Sequence, residues 1–208
     1  MHILMTAGAT RNPIDSMRYI SANSSGQSGA WLVEQLNDYG TVHLMGSPEA
    51  LLRCRLPVPK QVFGSTDDLM SKMQAWVERY PSGIVVHAAA VGDYAVADAD
   101  ESVKFPSGEQ GLSLHLEPTP KILDAIRGWS ESVRIVSFKA AAPNTSKADL
   151  EAIAIAQATR SDSAIIFGNT IGSLGSEVLI VDQGQVGWYP SRPLGMAALV
   201  EKIRIMAQ

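Results

Sequence analysis

Short apolar segments alternate along the chain with longer segments in which apolar side chains recur at helical spacing. The apolar segments predict strands at 3–6, 41–45, 84–88, 134–138 and 164–167. The periodic segments predict helices at 29–39, 66–80, 120–126 and 146–159, and a last helix that begins at Pro193. A regular alternation of strand and helix is typical of a mostly parallel sheet covered by helices. The pattern therefore predicts an α/β fold: a Rossmann-like open, mostly parallel sheet with helices on both faces.

Two parts of the chain depart from this alternation and predict antiparallel structure. Residues 98–111 are polar and contain Pro106 and two glycines, which predicts a long loop or a hairpin arm. Leucines at 112, 114 and 116 alternate with polar residues and predict a strand over 112–117. Apolar segments at 178–181 and 185–189 flank a turn sequence and predict a closing hairpin. No internal repeat or linker is visible, so we expect a single domain over residues 1–208.

Composition and charge narrow the classes of function. Apolar residues make up 46% of the chain and charged residues 18%, which is enough for a substantial core. The formal charge is −4 and no long basic run is present, which argues against a nucleic-acid partner. The single cysteine, Cys54, excludes an internal disulfide. Neither a signal peptide nor a membrane span of about 20 apolar residues is visible, so we expect a cytoplasmic protein without a membrane partner.

The loop after the first predicted strand is a candidate anion site. Ligands of open α/β sheets bind outside the carboxyl ends of the strands. Here the strand ends near Gly8, and a loop then leads to Ser24, Ser25 and Gly26, just before a predicted helix. Small residues let the backbone approach an anion, and a helix N-terminus offers N–H donors and a partial positive charge. The alternative is a turn in which the serines cap the helix.

A second candidate follows the central strand. Ala88, Ala89 and Ala90 leave room for a flat group against the backbone, and the carboxylate of Asp93 is placed to accept hydrogen bonds from a ribose or a base. The alternative is close helix–strand packing, with Asp93 as a helix cap. The four histidines are far apart and show no metal-ligand spacing.

Three further side chains have ordinary structural interpretations. Cys54 lies between two arginines, which favour a lowered thiol pKa, although a thiol without special reactivity is the simpler interpretation. Trp31 and Trp76 fall on helical stripes and are expected in the core.

Several motifs resemble those of one enzyme family. The chain begins with TAGATRNPID at 6–15, RYIS at 18–21 and SSG at 24–26, followed by AAAVGDY at 88–94, TPKIL at 119–123, VSF at 136–138 and IIFGN at 165–169. In this order they resemble the phosphopantothenate–cysteine ligases, also called phosphopantothenoylcysteine synthetases. The opening motif is long and specific, and the matches extend along the whole chain.

The resemblance implies a reaction and its participants. The family joins 4′-phosphopantothenate to cysteine in coenzyme A biosynthesis. A nucleotide, CTP or ATP with Mg²⁺, activates the acid as an acyl-nucleotidylate, and pyrophosphate leaves. The chain starts at the first strand of the ligase, so no flavin is expected here, and a separate flavin-dependent decarboxylase is a possible partner. Family members form homodimers, partly through an arm that resembles residues 104–116.

The resemblance also implies roles for individual residues, and no protein ligand to a metal. The catalytic residues are Asn23 and Lys104. The substrate phosphate is assigned to Ser24, Ser25 and Gly26. The nucleotide is assigned to Gly8, Ala88, Ala89, Ala90, Asp93, Pro120, Lys121, Ile122, Leu123, Phe138 and Lys139.

The departures from the family pattern fall at functional positions. The family has an asparagine where this chain has Ala22, and lysines where it has Gln27 and Ser102. Family lysines on the helix before the last core strand correspond largely to Gln157 and Ser161. Each cation lost from a phosphate pocket weakens triphosphate binding. An alternative function is therefore a catalytically altered or inactive ligase-like protein that binds a nucleotide or a phosphorylated acid in a regulatory or partner role. A third candidate function is that of a different enzyme with the same fold.

Overall fold

The predicted alternation of strands and helices is present in the computed structural model, which describes residues 1–106, 108, 111–172 and 177–208. The strands in these residues are β1 (His2–Ala7), β2 (Arg11–Pro13), β3 (Tyr19–Ser21), β4 (Thr41–Gly46), β5 (Lys60–Val62), β6 (Ile84–His87), β7 (Tyr94–Val96), β8 (Leu116–Pro118), β9 (Arg134–Ala141), β10 (Ile165–Thr170), β11 (Val178–Asp182) and β12 (Gln185–Tyr189). The helices are α1 (Gln27–Leu36), α2 (Pro48–Arg53), α3 (Thr66–Arg79), α4 (Ile122–Trp129), α5 (Lys147–Ser161) and α6 (Arg192–Ala207), and a 3₁₀ turn at Asn37–Tyr39 extends α1.

Eight strands form one sheet in the order β12-β11-β10-β9-β6-β1-β4-β5. From β10 to β5 all neighbours are parallel, whereas β10, β11 and β12 pair antiparallel. The chain builds outward from β1 to β4 and β5, and then returns to the other side of β1 to add β6, β9 and β10. This reversal creates a switch point between β1 and β6, where ligands of open α/β sheets bind. The predicted fold class is confirmed.

Helices cover both faces of the sheet because each central strand is apolar on both sides. On one face, buried side chains of α1 and α6 such as Leu32, Leu36 and Leu199 pack on β1, β4 and β10. On the other face, Met73 of α3 and Ile126 of α4 pack on β1, β6 and β9. Helix α5 covers β10 and β11 on this second face. The carboxyl ends of the parallel strands remain between these layers.

The closing hairpin is formed as predicted. Strands β11 and β12 pair from Val178↔Tyr189 to Asp182↔Gln185. Gln183 and Gly184 between them have φ of 48° and 80°. Two consecutive residues with positive φ match the right-handed twist of the flanking strands, which is the usual geometry of a two-residue hairpin.

The strand predicted over 112–117 is wrong in its extent. Only Leu116–Pro118 is a strand, and it pairs with the three residues of β7. Leu112 and Leu116 are exposed, so the alternation has no core to face. A period of two requires a partner strand, and β7 provides only a short one. The predicted arm over 98–111 partly lies outside the described residues, at 107, 109 and 110.

Other differences concern short elements and one helical face. Helix α2 and strand β5 were not predicted, because six and three residues are too few for a periodic signal. The ribbon of β2 and β3 was missed for the same reason. Trp31 is exposed rather than in the core, because α1 buries the neighbouring positions Ala30, Leu32 and Val33. Trp76 is buried as expected.

No helix in the residues that the structure describes has the length and apolar character needed to cross a membrane. Cys54 is a buried free thiol, packed in the core beneath α1 and α2, which favours its structural interpretation.

Candidate functional site

Backbone hydrogen bonds join the ends of β1 and β6 at the switch point. The N–H of Ala90 donates to the carbonyl of Gly8 (2.8 Å), and the N–H of Thr10 donates to the carbonyl of Ala90 (3.1 Å). The hydroxyl of Thr10 accepts from the N–H of Gly92 (2.9 Å). The loops after the two strands are therefore fixed to each other, and the alanines that sequence reasoning selected lie at this junction.

Two glycines bring α1 into direct contact with the end of β1. Gly8 has φ +89° and Gly26 has φ +72°, a region that glycine adopts without steric cost. A Cβ on Gly26 would lie 2.9 Å from the backbone N of Gly8 and 3.1 Å from the Cα of Ala50. A Cβ on Gly8 would lie 2.7 Å from the Cβ of Ser47. Two of the predicted site residues are thus required for backbone packing, whatever ligand they contact.

The first turn of α1 has no side-chain cap. Its N-cap is Gly26, and among the residues that the structure describes no side chain accepts from the first N–H groups of the helix. The alternative in which serines cap this helix is therefore wrong. Ser24 is half-buried and Ser25 is exposed, and Nε of Arg53 donates to the carbonyl of Ser25 (3.1 Å). An uncapped N-terminus at the switch point is suited to an anion.

Arg192 is a cation beside this turn that sequence reasoning missed. Its guanidinium donates to Oγ of Ser28 on α1 (3.0 Å) and to Oδ1 of Asn169 at the end of β10 (3.0 Å). It also stacks over the ring of Phe167, 5.1 Å from the ring centre. Burial lowers the pKa of Arg192 from its ordinary value. The only signal in the sequence was Asn169, the last residue of a family-like motif, because Arg192 itself lies outside every motif.

On the opposite face, the end of β6 carries a buried histidine. Oγ1 of Thr6 lies 2.9 Å from Nδ1 of His87 and accepts from the N–H of Ala89 (3.1 Å). The Thr6 hydroxyl is therefore hydrogen bonded both to the imidazole of His87 and to the backbone of Ala89. Burial lowers the pKa of His87 to about 4, so the ring is neutral at physiological pH. Through Thr6, the imidazole of His87 therefore helps to hold the backbone at Ala89 in place.

Asp93 and Lys121 form an ion pair near the start of α4. Both side chains are exposed, and the N-cap of α4 is Lys121. Strand β7 follows Asp93, and the alternative in which Asp93 caps a helix is wrong. Pro120 is exposed and Leu123 half-buried. Ile122 is fully buried against the core and presents no side chain to a ligand.

The remaining candidates at the end of β9 lie on opposite faces of the sheet. Phe138 packs on the face of α1 and α6, and its ring centre is 5.2 Å from that of Phe167. Lys139 is half-buried and, being the next residue along the strand, is on the face of α4 and α5. Ala88 and Ala89 divide in the same way. The predicted nucleotide residues are therefore distributed around the strand ends and not on one face.

Lys104 is brought to the first loop by a buried carboxylate. Asp15 accepts from the backbone N–H groups of Met17, Arg18 and Phe105 and pairs with the guanidinium of Arg18 (3.0 Å). Burial opposes ionisation of Asp15, but these hydrogen bonds and Arg18 hold its pKa below the ordinary value. The backbone on either side of Lys104 is thereby tied to residues 15–18, and the Lys104 side chain is exposed.

Asn23 lies on the loop between β3 and α1. It is exposed, and within the described part of the chain no hydrogen bond holds its side chain. Ala22 beside it is also exposed, and its carbonyl accepts from the N–H of Ser24 (3.1 Å). The structure therefore places Asn23 on the approach to α1 without orienting its amide.

Two of the family's lysine positions are structural in this chain. Gln157 and Ser161 are buried between α5 and β9. Nε2 of Gln157 donates to the hydroxyl of Ser137 and to the carbonyl of Phe138 (both 3.2 Å). Ser161 and Ser163 are hydrogen bonded at 2.7 Å, and Ser163 reaches Ser137 at 3.0 Å. Every hydroxyl in this cluster has a partner, so these positions stabilise the helix on the sheet and supply no cation.

Other cations near the strand ends are already paired. Arg160 bonds to Asp124, and Lys121 bonds to Asp93. Lys104 and Lys139 have no ion pair among the residues that the structure describes. Within the same residues, no group of three or more His, Cys, Asp or Glu side chains is placed to hold a metal ion.

Known proteins resemble this chain in sequence. The sequence profile of the DNA/pantothenate metabolism flavoprotein C-terminal domain matches residues 1–187. The chain is 34% identical over 180 residues to the coenzyme A biosynthesis bifunctional protein CoaBC of Thermococcus kodakarensis, covering 84% of this chain and 42% of that protein. It is 31% identical over 131 residues to the CoaBC of Haemophilus influenzae, covering 61% and 31%. The chain thus spans less than half the length of these relatives.

Solved structures show the same fold. The DNA/pantothenate metabolism flavoprotein from Streptococcus pneumoniae superposes with a TM-score of 0.87 at 24% identity, covering 99% of both chains. A Cab2 mutant in complex with phosphopantothenate-cysteine gives 0.79 at 17% identity, covering 99% of this chain and 86% of that one. The family resemblance of the motifs is confirmed by the profile match: the chain belongs to the family of the DNA/pantothenate metabolism flavoprotein C-terminal domain, the phosphopantothenoylcysteine synthetase family.

Proposed function

We propose that the chain joins 4′-phosphopantothenate to cysteine in coenzyme A biosynthesis, through an acyl-nucleotidylate formed from CTP or ATP. The observation that carries this proposal is the switch point, where Gly26 at the start of α1 packs on Gly8, and Gly8 is hydrogen bonded to Ala90 after β6. We infer that an anion site at the start of α1 and a site for the flat base of the nucleotide, on the alanine segment, lie side by side, as the two halves of the reaction require. Family membership supplies the substrate class.

The proposed mechanism begins with two bound reactants on adjacent strand ends. The first turn of α1 holds the phosphate of the acid, with Ser24, Ser25 and Gly26 lining the approach. The alanine segment and Asp93 hold the nucleoside. Holding both reactants in place converts a bimolecular attack into an intramolecular one. The carboxylate oxygen of the acid then attacks the α-phosphorus of the nucleotide, the bond to the β-phosphate breaks, and pyrophosphate leaves.

In the second step, the amino group of cysteine attacks the acyl carbon and the nucleoside monophosphate leaves. An oxyanion forms at the acyl oxygen, and hydrogen-bond donors stabilise it. We assign this role to the amide of Asn23 and the ammonium of Lys104. Lys139 is half-buried and has no ion pair in the described residues, and we infer that its ammonium group neutralises negative charge on the triphosphate. Mg²⁺ is commonly held by substrate phosphates with one or two carboxylates, so a cage of protein ligands is not required.

We also propose a homodimer, in which the segment around Lys104 contributes to the interface. Its side chain is exposed although the backbone beside it is tied down by Asp15, which suits a segment that packs on a second copy. A flavin-dependent decarboxylase, as a separate chain or a fused domain, supplies the neighbouring reaction in the same biosynthesis.

Pyrophosphate release tests the proposed function. With phosphopantothenate, cysteine and Mg²⁺ present, we expect release on addition of CTP or ATP, and none when phosphopantothenate is omitted. Phosphopantothenoylcysteine is expected to accumulate in equal amount, measured by mass spectrometry. No release with either nucleotide over a full range of concentrations would contradict the ligase function.

Replacing Asp93 by alanine tests the nucleotide half of the site. The Asp93–Lys121 pair is exposed, and such pairs contribute about 0–1 kcal/mol to stability. A carboxylate that bonds a ribose or a base contributes more, so we expect the nucleotide Kd to rise about tenfold with little change in the melting temperature. Calorimetric titration and thermal unfolding measure the two effects. Glu201→Ala, which removes another exposed, paired carboxylate, is the control and should leave the Kd unchanged.

A ligase-like binding protein without turnover is the second candidate. It is favoured by Ala22 at the family's asparagine position and by the pairing of Lys121 and Arg160 with carboxylates. This candidate predicts nucleotide or phosphopantothenate binding by calorimetry together with no pyrophosphate release. Absence of binding of either ligand would remove it.

A further inference from the structure

Arg192 joins three parts of the fold at one point. It is the first residue of α6, and its guanidinium bonds Ser28 on the first turn of α1 and Asn169 at the end of β10. The stacking of this guanidinium over the ring of Phe167 fixes its plane. A flexible surface arginine is not held in this way, so the group is pre-organised.

No carboxylate neutralises the charge of Arg192 in the part of the chain that the structure describes. Both of its partners are neutral oxygens, and no carboxylate pairs with it in residues 1–106, 108, 111–172 or 177–208. The side chain is half-buried, and burial disfavours its charged form, as the lowered pKa indicates. A desolvated cation without a counter-charge is costly to maintain. Binding of an anion removes that cost.

The guanidinium has donors left for such an anion. Arginine carries five N–H donors, and the bonds to Ser28 and Asn169 use two of them. Its planar fork matches a phosphate group with two parallel hydrogen bonds. The first N–H groups of α1, which no side chain caps, belong to the same turn as Ser28. A phosphate placed here therefore meets a fork of charged donors and a helix N-terminus together.

We propose that Arg192 is a specificity residue that selects the phosphorylated acid over its dephosphorylated form by binding the terminal phosphate against the first turn of α1. This inference rests on the proposed function for the identity of the acid, but the chemistry recognised is that of any phosphomonoester. It also accounts for Gln27, where the family resemblance leads us to expect a lysine. The cation lost from the first turn of α1 is supplied from α6.

The test compares phosphopantothenate with pantothenate in calorimetric titrations of the wild-type protein, Arg192→Gln and Arg192→Lys. For Arg192→Gln we expect the Kd for phosphopantothenate to rise about 10- to 100-fold, the range of a charge-assisted hydrogen bond, and the Kd for pantothenate to stay the same. Arg192→Lys keeps the charge but not the fork, so its Kd is expected between the two. Arg204→Gln, on the exposed side of the same helix, is the control and should change neither Kd.

A purely structural role for Arg192 gives a different result. If Arg192→Gln weakens both ligands equally, or neither, the proposal is overturned. Thermal unfolding of each variant without ligand checks that the fold is kept, and rescue by Arg192→Lys identifies the charge as the active feature.

Inorganic phosphate separates this inference from the proposed function. We expect millimolar phosphate to raise the melting temperature of the wild-type protein and not that of Arg192→Gln. If that dependence is observed while no pyrophosphate is released in the ligase assay, the phosphate site stands and the ligase function fails. If the ligase assay succeeds and Arg192→Gln still prefers phosphopantothenate as strongly as the wild type, the ligase function stands and the proposed role of Arg192 fails.

Discussion

The Gly8→Ala variant is expected to lose about 1–3 kcal/mol more of its unfolding free energy than the Gly184→Ala variant, since overpacking adds a cost of this size to the conformational penalty. Both glycines have a positive φ, +89° and +80°, so the cost of placing an L residue there is similar. They differ in their surroundings. A Cβ on Gly8 would meet the Cβ of Ser47 at 2.7 Å and its backbone N at 3.2 Å, whereas nothing lies within 4 Å of a Cβ on Gly184.

Urea denaturation of the two variants and the wild type measures this difference directly. Gly184 lies in the exposed β11–β12 turn, and its change reports the conformational penalty alone. The excess loss at Gly8 then reports the close contact between the end of β1 and the residues before α2. Equal losses in the two variants would show that the backbone at Gly8 shifts to accept a methyl group, and would contradict the tight junction described at the switch point.

The second large effect is a loss of stability in mild acid caused by His87. Its pKa is about 4 in the folded protein, against an ordinary value of 6.5. Between pH 6.5 and 4, the unfolded chain therefore binds a proton that the folded protein does not bind. This lowers the free energy of the unfolded state relative to the folded state, so the protein becomes less stable. Integrated over this window, the loss is about 3 kcal/mol, and it is complete below pH 4, where both states are protonated.

The His87→Met variant isolates this contribution. Other groups change stability with the same sign: burial, together with His2 and Arg79, also lowers the pKa of His43. The relevant quantity is therefore the difference in slope between the wild type and His87→Met when the unfolding free energy is measured from pH 7 to pH 4. We expect the variant to have a flatter profile, even if its stability at pH 7 is lower. Parallel profiles would contradict a neutral, buried imidazole at this position.

The elements with a long or uninterrupted pattern were predicted correctly. The β-branched segment at 84–88 became the central strand β6, and the stripe over 66–80 became α3. These patterns are reliable because burial of a strand or a helix face requires a repeated placement of apolar side chains. Helix α2 and strand β5 are short, and their existence depends on the sheet edge against which they pack.

The alternation over 112–117 illustrates the opposite error. Leucines at every second position normally mark one buried face, but here Leu112 and Leu116 are exposed, and only Leu116–Pro118 forms a strand, paired with the three residues of β7. We expect such a pattern to belong to a surface that is covered in an assembly, which agrees with the proposed homodimer.

The sequence predicted only those parts of the candidate site that the positions of the strand ends determine. The ends of β1 and β6 were placed together because parallel strands share their carboxyl edge, and Gly8 and Ala90 are hydrogen bonded there. Arg192 was not predictable, because it reaches Ser28 across 164 residues of sequence. The sequence shows that Gln157 and Ser161 carry no positive charge, and the structure adds that both side chains are buried in a hydrogen-bonded cluster. A missing lysine and a buried polar residue look the same in the sequence. Only the packing of the folded chain shows that these side chains belong to the core.

By itself, the sequence determined the fold class, the family and the positions of the strand ends, because these depend on local periodicity and on contiguous motifs. The tertiary structure decided which charges remain available there. Lys121 and Arg160 are paired with carboxylates, whereas the guanidinium of Arg192 is held by neutral oxygens at the start of α1. Charge at a site is a sum over side chains from distant segments, and each contributes only after the chain has folded and its partners are in place.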